Sequence, residues 1–181
     1  MVLEFSLDEN DFLQHQLFVA SKSDRIKSKR RKSWMIVSLA VLIVGILFYE
    51  QDNKFMVYCF LALLIYTICF YPLYLRSLYK KHFAEFVADA YKNRVGIMTS
   101  VSIGDNLIEC FDKTGESKIN TTELTEISET GEHIYLRLKI GESLIIPKLK
   151  IENLVAFRTE LLHLSGKLGI NYTSELNWKW K

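Results

Sequence analysis

The chain has 181 residues, a formal net charge of +2 and a 49% share of hydrophobic residues. The basic residues are concentrated around 22–32 and 76–81, beside the most apolar part of the chain. This distribution argues against a nucleic-acid-binding protein, because such a protein would carry a basic face on its folded domain. The three cysteines form no CxxC pair, which favours small apolar residues in a reducing compartment over a disulfide framework or a redox or metal site.

The N-terminal segment, residues 1–33, precedes the most apolar part of the chain. Val2, Leu3 and Phe5 predict a short strand, and Ser6 or Asp8 is a suitable cap for a helix from about Glu9. A basic run closes the segment. This run is consistent with a helix at a lipid surface, or with charge that only sets the topology; we favour the second interpretation.

Two uncharged apolar stretches, 34–49 and 55–75, are separated by the polar residues 50–54. A helix rises about 1.5 Å per residue and a hydrocarbon core is about 30 Å thick, so the second stretch is long enough to cross. The first stretch needs Ser33 and interfacial Trp34 and Tyr49. Neither stretch has a polar face, which argues against a buried helical hairpin in a soluble core. A cleaved signal peptide would start closer to the N-terminus. We therefore expect an antiparallel transmembrane hairpin.

Basic residues flank the hairpin on both sides, whereas the 50–54 loop carries two acids and one lysine. The positive-inside rule then places both termini in the cytoplasm of a cell with an inner membrane, and the loop outside. Charges beside the bilayer also attract anionic lipid headgroups. The candidate residues for topology and anionic-lipid contact are Lys27, Lys29, Arg30, Arg31, Lys32, Arg76, Lys80 and Lys81.

Inside the predicted spans no Asp, Glu, His, Lys or Arg occurs. Ion pathways and proton relays normally need such residues, so the hairpin is predicted to be an anchor rather than a transporter. Gly45 and Ala40 on the first helix, and Ala62 on the second, are small enough to allow close helix contact.

Beyond the hairpin, residues 76–95 predict a juxtamembrane helix that packs against the N-terminal helix, and Pro72 predicts a kink before it. Residues 96–168 change to alternating strands and turns. A helix follows from Glu152 or Asn153 to a C-cap at Gly166, and 169–181 is predicted to be a polar tail. Strands are predicted at 97–103, 107–111, 117–120, 124–129, 133–140 and 143–146.

The predicted fold class is therefore an α+β membrane protein. A two-helix transmembrane hairpin is followed by a small pleckstrin-homology-like (PH-like) β-barrel or sheet domain that is capped by a C-terminal helix.

A local pattern adds a family resemblance. The segment GESLIIPKLKIENLVAFRTELLHL ends a strand in Ile145, Ile146, Pro147 and Lys148 before a helix, and residues 123–129 match an E-x-x-E segment loosely. In this pattern and in its order of segments the chain resembles the YcxB-like membrane proteins of bacteria. The resemblance implies a membrane hairpin, a PH-like domain and no assigned activity.

One departure limits what the PH-like fold implies. Lipid-binding PH domains carry basic residues around their first hairpin loop. The corresponding loop predicted here, 104–106, reads Gly-Asp-Asn and has no cation. Phosphoinositide binding is therefore not expected.

No nucleotide-binding, zinc-protease or hydrolase motif occurs in the sequence. The histidines are in different predicted elements, and although His133 and His163 could meet in a fold, we expect structural histidines. An acidic band is expected to be surface charge rather than an acid–base pair, and no catalytic residue, cofactor or metal is predicted. The histidines are His15, His82, His133 and His163; the acidic band is Glu116, Glu123, Glu126 and Glu129.

These observations predict a non-enzymatic membrane-anchored binding or scaffold protein. Its PH-like domain would be presented to a protein partner or to other copies of the chain, with anionic lipid as a second partner and no nucleic acid. One alternative is an immunity protein that neutralises a membrane-targeting toxin. The other is an enzyme acting on lipid or envelope substrates, for which His133, His163 and Glu126 are the candidates.

Overall fold

The computed structural model describes residues 2–50, 54–113 and 115–181. It is an α+β structure, as predicted, with two long helices followed by sheets and a C-terminal helix. The elements in chain order are β1 (Val2–Ser6), α1 (Glu9–Lys22), α2 (Asp24–Glu50), α3 (Lys54–Ala90), β2 (Met98–Ile103), β3 (Leu107–Asp112), β4 (Gly115–Asn120), β5 (Leu124–Thr130), β6 (His133–Leu138), β7 (Ser143–Pro147), α4 (Leu154–Leu168) and β8 (Asn171–Glu175).

The chain divides into two compact units. The sheet unit comprises residues 2–15 and 86–179, and the helix unit comprises residues 16–85 with 180 and 181. The chain passes between them within α1, within α3 and after residue 179. This division differs from the predicted one, in which 1–33 was a separate segment and the folded domain began at residue 96.

In the helix unit, α2 and α3 are antiparallel, as predicted. Near one end of the pair the hydroxyls of Ser33 and Tyr71 lie 2.9 Å apart, and further along the rings of Phe48 and Phe60 stack with centroids 5.3 Å apart. A Cβ atom on Gly45 would lie 3.3 Å from the Cβ of Phe60, so the predicted close approach at Gly45 is confirmed.

Both helices extend beyond the apolar stretches. The basic run is helical from Asp24, and α3 continues without interruption past Pro72 into the predicted juxtamembrane helix. Each helix is long and apolar enough to cross a membrane, and only 0% and 6% of their most apolar windows is buried. Residues 51–53 of the predicted loop lie outside the described residues.

The sheet unit contains two four-stranded sheets, ordered β1-β2-β3-β4 and β7-β6-β5-β8. All neighbouring strands are antiparallel except β5 and β8, which are parallel. Strand β1 pairs with β2 so that Leu3 faces Val101 and Phe5 faces Thr99. The first strand of this sheet therefore comes from residues that precede the long helices, and the predicted first hairpin is the second strand pair.

One hydrophobic core joins the two sheets and α4. Leu3 of β1, Val101 of β2, Ile127 of β5 and Ile146 of β7 meet Phe157 of α4 in a single buried cluster. Successive side chains of a strand point to opposite faces, so every second one enters the core. This is why alternating apolar residues in the sequence predict these strands. In α1, Phe12 stacks on Tyr91, just after α3, with ring centroids 4.5 Å apart.

Two predictions at the C-terminal end differ from the structure. Helix α4 starts after Asn153, whose side chain accepts a hydrogen bond from the Ala156 amide, but its C-cap is Gly169 rather than Gly166. Gly169 has φ of 65°, the left-handed conformation that glycine adopts without strain. The predicted polar tail contains β8, which pairs with β5 through main-chain hydrogen bonds that hydrophobic periodicity does not reveal.

Candidate functional site

The predicted basic residues gather at one end of the helix pair, because α2 and α3 are antiparallel and Ser33 lies against Tyr71. We call residues 27–32 of α2 and 76–81 of α3 the basic end. Seven of the eight candidate side chains there are exposed, and Arg30 is half-buried. Lys27 contacts Asp24 at 3.6 Å and Lys81 contacts Glu85 at 3.8 Å. Both ion pairs are solvent-exposed, so they hold these lysines only weakly.

Arg30 has a partner that the sequence analysis missed. Its guanidinium carbon lies 5.1 Å from the ring centroid of Trp180, and its Nη1 donates a 2.7 Å hydrogen bond to the main-chain oxygen of Lys181. Trp180 is 6% exposed and its Nε1 donates to the carbonyl oxygen of Arg76 at 3.0 Å. Residues 180 and 181 are thus held by both helices, and Arg30 has an intramolecular role beside any contact with lipid.

The signal for this contact was present in the sequence. Trp178 and Trp180 are large aromatic residues in an otherwise polar tail, and tryptophan is the best aromatic partner for a cation. What the sequence could not supply was the choice among the many basic residues near the hairpin.

An open groove of about 730 Å³ lies along the basic end, between α2 and α3. Lys29 and His82 line it together with the hydroxyl-bearing residues Ser33, Tyr74 and Tyr79. The groove therefore joins cationic and hydrogen-bonding groups to the apolar helix surface. A smaller groove of about 290 Å³ is lined by Lys27, Arg30, Arg31, Trp34, Pro72 and Leu75.

The sheet unit contains a buried ionic cluster around Glu129, which is 1% exposed. Arg158 donates from Nε and Nη2 to its two carboxylate oxygens, Tyr172 donates at 2.6 Å, and the Lys148 ammonium contacts Oε1. Burial alone would raise the pKa of Glu129, but the hydrogen bonds from Arg158, Lys148 and Tyr172 outweigh it and lower the pKa to about 2.

The prediction that the acidic band is surface charge is therefore wrong for Glu129. Its partners are residues 148, 158 and 172, which lie far apart in sequence. Their charges and hydrogen bonds together offset the free-energy cost of removing the carboxylate from water. Because each carboxylate oxygen already accepts from more than one donor, Glu129 ties β5 to α4 and β8 rather than offering an acid–base group. Glu126, a candidate of the enzyme alternative, is half-buried and accepts from the Ser128 hydroxyl at 3.0 Å.

Two of the histidines meet in a second polar cluster. His133 is 3% exposed, and its Nε2 lies 2.7 Å from Asp11 Oδ1. The rings of His15 and His133 both contact Tyr135, with centroids 5.1 and 5.7 Å away. His163, by contrast, is exposed on α4, so the structure does not place it with His133.

His15 is the least satisfied member of this cluster. Its Nε2 is buried and has no hydrogen-bond partner in the described part of the chain. Burial, and secondarily the neighbouring His133 and Arg137, lower the pKa of His15 from 6.5 to about 4. The ring is therefore neutral at physiological pH, and it packs as an aromatic residue.

The arrangement of potential metal ligands and thiols is considered next. Among the described residues, no group of three or more His, Cys, Asp or Glu side chains lies close enough together to hold a metal ion. Cys59 and Cys69 are exposed on α3, and Cys110 is half-buried in β3. Burial, and secondarily Asp112, raises the pKa of the Cys110 thiol, which disfavours the reactive thiolate.

Comparison with known proteins adds no relative. No family model, no curated protein and no solved structure matches the chain.

Proposed function

We propose that this protein is a membrane-anchored, non-enzymatic binding protein of the bacterial inner membrane. In this proposal α2 and α3 form a transmembrane hairpin, and the sheet unit is held at the cytoplasmic face, where it binds a protein partner or another copy of the chain. The observation that carries the proposal is the exposure of apolar side chains around both long helices. Ile36, Ile65 and Leu73, for example, are 67%, 57% and 57% exposed.

Such a surface is unstable in water. Burying apolar area is worth about 25 cal/mol per Å², and soluble monomers rarely expose contiguous apolar patches larger than a few hundred Å². In a bilayer, lipid acyl chains would cover these apolar side chains. The main-chain groups of both helices are hydrogen-bonded within each helix, as the absence of water in a bilayer core requires. The basic end then lies at the headgroups of the cytoplasmic leaflet.

Within this proposal we interpret the sheet unit as PH-like and the chain as YcxB-like. Two four-stranded sheets closed by α4 support the first interpretation. In a PH-like arrangement, the connection between the first two strands would contain α1, α2 and α3. Asp105 in the β2–β3 turn lies 3.8 Å from Lys167, and no cation lies in that turn itself, so phosphoinositide binding is not part of the proposal.

Alkaline carbonate extraction tests the anchor. The full chain should stay in the membrane pellet, and reporter fusions after Lys181 and within residues 50–54 should report opposite sides. Release into the carbonate supernatant, or both reporters on one side, would contradict the hairpin.

Crosslinking tests the binding role. Amine-reactive crosslinking in native membranes should produce a discrete larger species that contains this chain, because the sheet unit exposes lysines such as Lys113 and Lys150. Repeated recovery of the uncrosslinked monomer alone would argue against a binding or scaffold role.

A further inference from the structure

Strand β4 (Gly115–Asn120) forms one edge of the first sheet, and five of its six residues are exposed. In the described part of the chain, β3 is the only strand that pairs with it. The strand contains no proline, and it keeps a single register with β3. Prolines and bulges are devices that make an edge unsuitable for further pairing. The outer edge of β4 can therefore accept another extended strand.

The main-chain hydrogen bonds near the end of β4 show which of its residues face this outer edge. The Thr121 amide donates to the carbonyl oxygen of Asn106 at 3.0 Å, so these opposed residues are hydrogen-bonded to each other. Hydrogen-bonded and non-hydrogen-bonded pairs alternate along an antiparallel ladder. The amide and carbonyl groups of Glu116, Lys118 and Asn120 therefore point away from β3.

The side chains at this edge carry charges of both signs. Glu116 and Lys118 share one face of the sheet, because side chains alternate along a strand. Lys118 lies 2.7 Å from Glu116 and 3.3 Å from Glu109 of β3, and all three side chains are accessible to solvent. A lysine alone on an edge strand keeps copies of a protein apart. A glutamate two residues before it makes the strand complementary to itself.

From this arrangement we propose that two copies of the chain associate by antiparallel pairing of their β4 strands, about a two-fold axis at Ser117. Glu116 of each copy then lies opposite Lys118 of the other. These residues have the outward main-chain groups, so each pair also exchanges both of its main-chain hydrogen bonds. A register centred on Lys118 would instead place two lysines opposite each other, which is unfavourable. The inference rests on the proposed binding role of the sheet unit, for which it names the partner and the surface.

The occupant follows from the order of the charges along β4. Any extended peptide could bond the main-chain groups of the edge, but it must also present a cation opposite Glu116 and an anion opposite Lys118. Antiparallel pairing reverses the order of residues, so a second β4 presents this arrangement.

Disulfide trapping in native membranes tests the register. In the full-length chain with Cys59, Cys69 and Cys110 replaced by alanine, Ser117→Cys should give a disulfide-linked dimer on mild oxidation. Cys110 is replaced because it lies opposite Ser117 in β3. Across the proposed interface the two residues 117 form a non-hydrogen-bonded pair, whose Cα atoms are about 4.5 Å apart. A disulfide can bridge this distance.

The matched control is Asn120→Cys in the same background. Asn120 is exposed on the same strand, and its side chain makes no capping hydrogen bond. In the proposed register the two residues 120 are about 20 Å apart along the strands, at about 3.4 Å per residue, beyond the reach of a disulfide. Equal trapping of the two variants would show random collision and overturn the register, as would the absence of a Ser117→Cys dimer.

Charge exchange tests the side-chain pairing independently. Glu116→Lys places cations opposite each other and Lys118→Glu places anions, so each variant alone should self-associate about tenfold more weakly, equivalent to about 1.4 kcal/mol. A mixture of the two variants should associate as strongly as the wild type, because one then presents only cations and the other only anions. Resonance energy transfer between labelled full-length chains in proteoliposomes measures this, and recovery in the mixture shows that both variants fold.

Glu123→Lys makes the same change of charge outside β4, where Glu123 forms an exposed pair with Lys139 at 3.4 Å. This variant should self-associate like the wild type. A loss equal to that of Glu116→Lys would show that net charge alone controls association and would overturn the β4 pairing. Failure of the mixture to recover would overturn it as well.

Carbonate extraction and amine-reactive crosslinking separate this inference from the proposed function. A chain that carbonate releases, but that still forms the Ser117→Cys dimer, contradicts the anchor alone. A chain that resists extraction and is crosslinked to a different protein, without a Ser117→Cys dimer, contradicts only the β4 pairing.

Discussion

In the sheet unit Ile127 and Ile134 are both 0% exposed, whereas in the helix unit Ile43 and Ile46 are both 50% exposed. The same residue type is thus placed inside in one region and outside in the other. The sheet unit follows the rule for a domain in water, with its apolar side chains in one core. The helix unit breaks that rule along most of its two apolar stretches, 34–49 and 55–75, which makes sense if its solvent is lipid.

The two units also differ in where they place charged residues. The sheet unit buries Glu129 but surrounds it with Lys148, Arg158 and Tyr172. The only ionisable residues in the apolar stretches of the helix pair are tyrosine and cysteine, and all of its basic residues except Lys54 lie at one end. Among the described residues, neither unit therefore has an unpaired charge in its apolar part. The sheet unit pairs its buried carboxylate, and the apolar stretches of the helix unit contain no charged residue.

The largest effect should come from breaking the buried pairing. Glu129→Gln keeps the side-chain shape but leaves Lys148 and Arg158 without their anion, so we expect a loss of about 3–5 kcal/mol in the free energy of unfolding. Urea denaturation followed by circular dichroism measures it. Glu116→Gln is the control, because Glu116 and Lys118 form an exposed pair at 2.7 Å, and its loss should stay below about 1 kcal/mol.

Two helical glycines, one from each unit, sharpen the comparison of packing. Gly45→Leu should push α2 away from Phe60, and overpacking of this kind costs about 1–3 kcal/mol. Gly166→Leu in α4 meets open space, and it should be neutral or stabilise by up to about 1 kcal/mol because glycine is a poor helix former. Titration with sodium dodecyl sulfate, followed by circular dichroism, measures the first, and urea denaturation measures the second. Equal effects would mean that α2 and α3 are not in contact at Gly45.

The buried histidine predicts a pH dependence confined to the sheet unit. Since the pKa of His15 falls from 6.5 to about 4 on folding, the unfolded chain binds the proton first. Stability should therefore decrease as pH falls from 6.5 towards 4. His15→Phe should flatten the stability curve in this window, and His163→Gln, at an exposed position, should not. The separate loss below pH 4.5, as Glu129 becomes protonated in the unfolded state, should persist in both variants.

The smallest effect is expected at the tail. Trp180→Ala removes the ring over Arg30 and the hydrogen bond to Arg76, and it should raise hydrogen exchange at residues 180 and 181 about tenfold, equivalent to about 1.4 kcal/mol. Trp180→Phe keeps an aromatic ring but not the donor, so an intermediate rate is expected. Unchanged exchange at residues 180 and 181 in Trp180→Ala would show that the contacts of Trp180 do not protect this end of the helix unit.

Local patterns predicted most elements of the fold. Alternation gave β2, β3, β5 and β6 within a few residues, and Asp8 caps α1 by accepting from the Asp11 amide at 2.8 Å, as one of the two predicted caps. The features that were missed depend on partners distant in sequence. Strand β8 is specified by main-chain pairing and by Tyr172, and the pairing of β1 with β2 spans more than ninety residues.

The candidate site divides in the same way. Composition identified the basic residues, because charge beside an apolar stretch is visible without a fold. The groove that Lys29 lines, and the contact between Trp180 and Arg30, depend on the antiparallel placement of α2 and α3. The sequence predicts a surface carboxylate at Glu129, because nothing in the strand pattern indicates its distant partners.

The hydrogen-bonded pairing of β1 with β2 sets a parity rule for the chain. Two strands in one sheet lie on the same side of any membrane, so the residues between Ser6 and Met98 must cross it an even number of times. A single crossing by α2 or α3 alone is incompatible with the sheet. Either both helices are inserted into a membrane or neither is. Because β2 follows both helices in the chain, β1 can pair with it only after both helices have been synthesised.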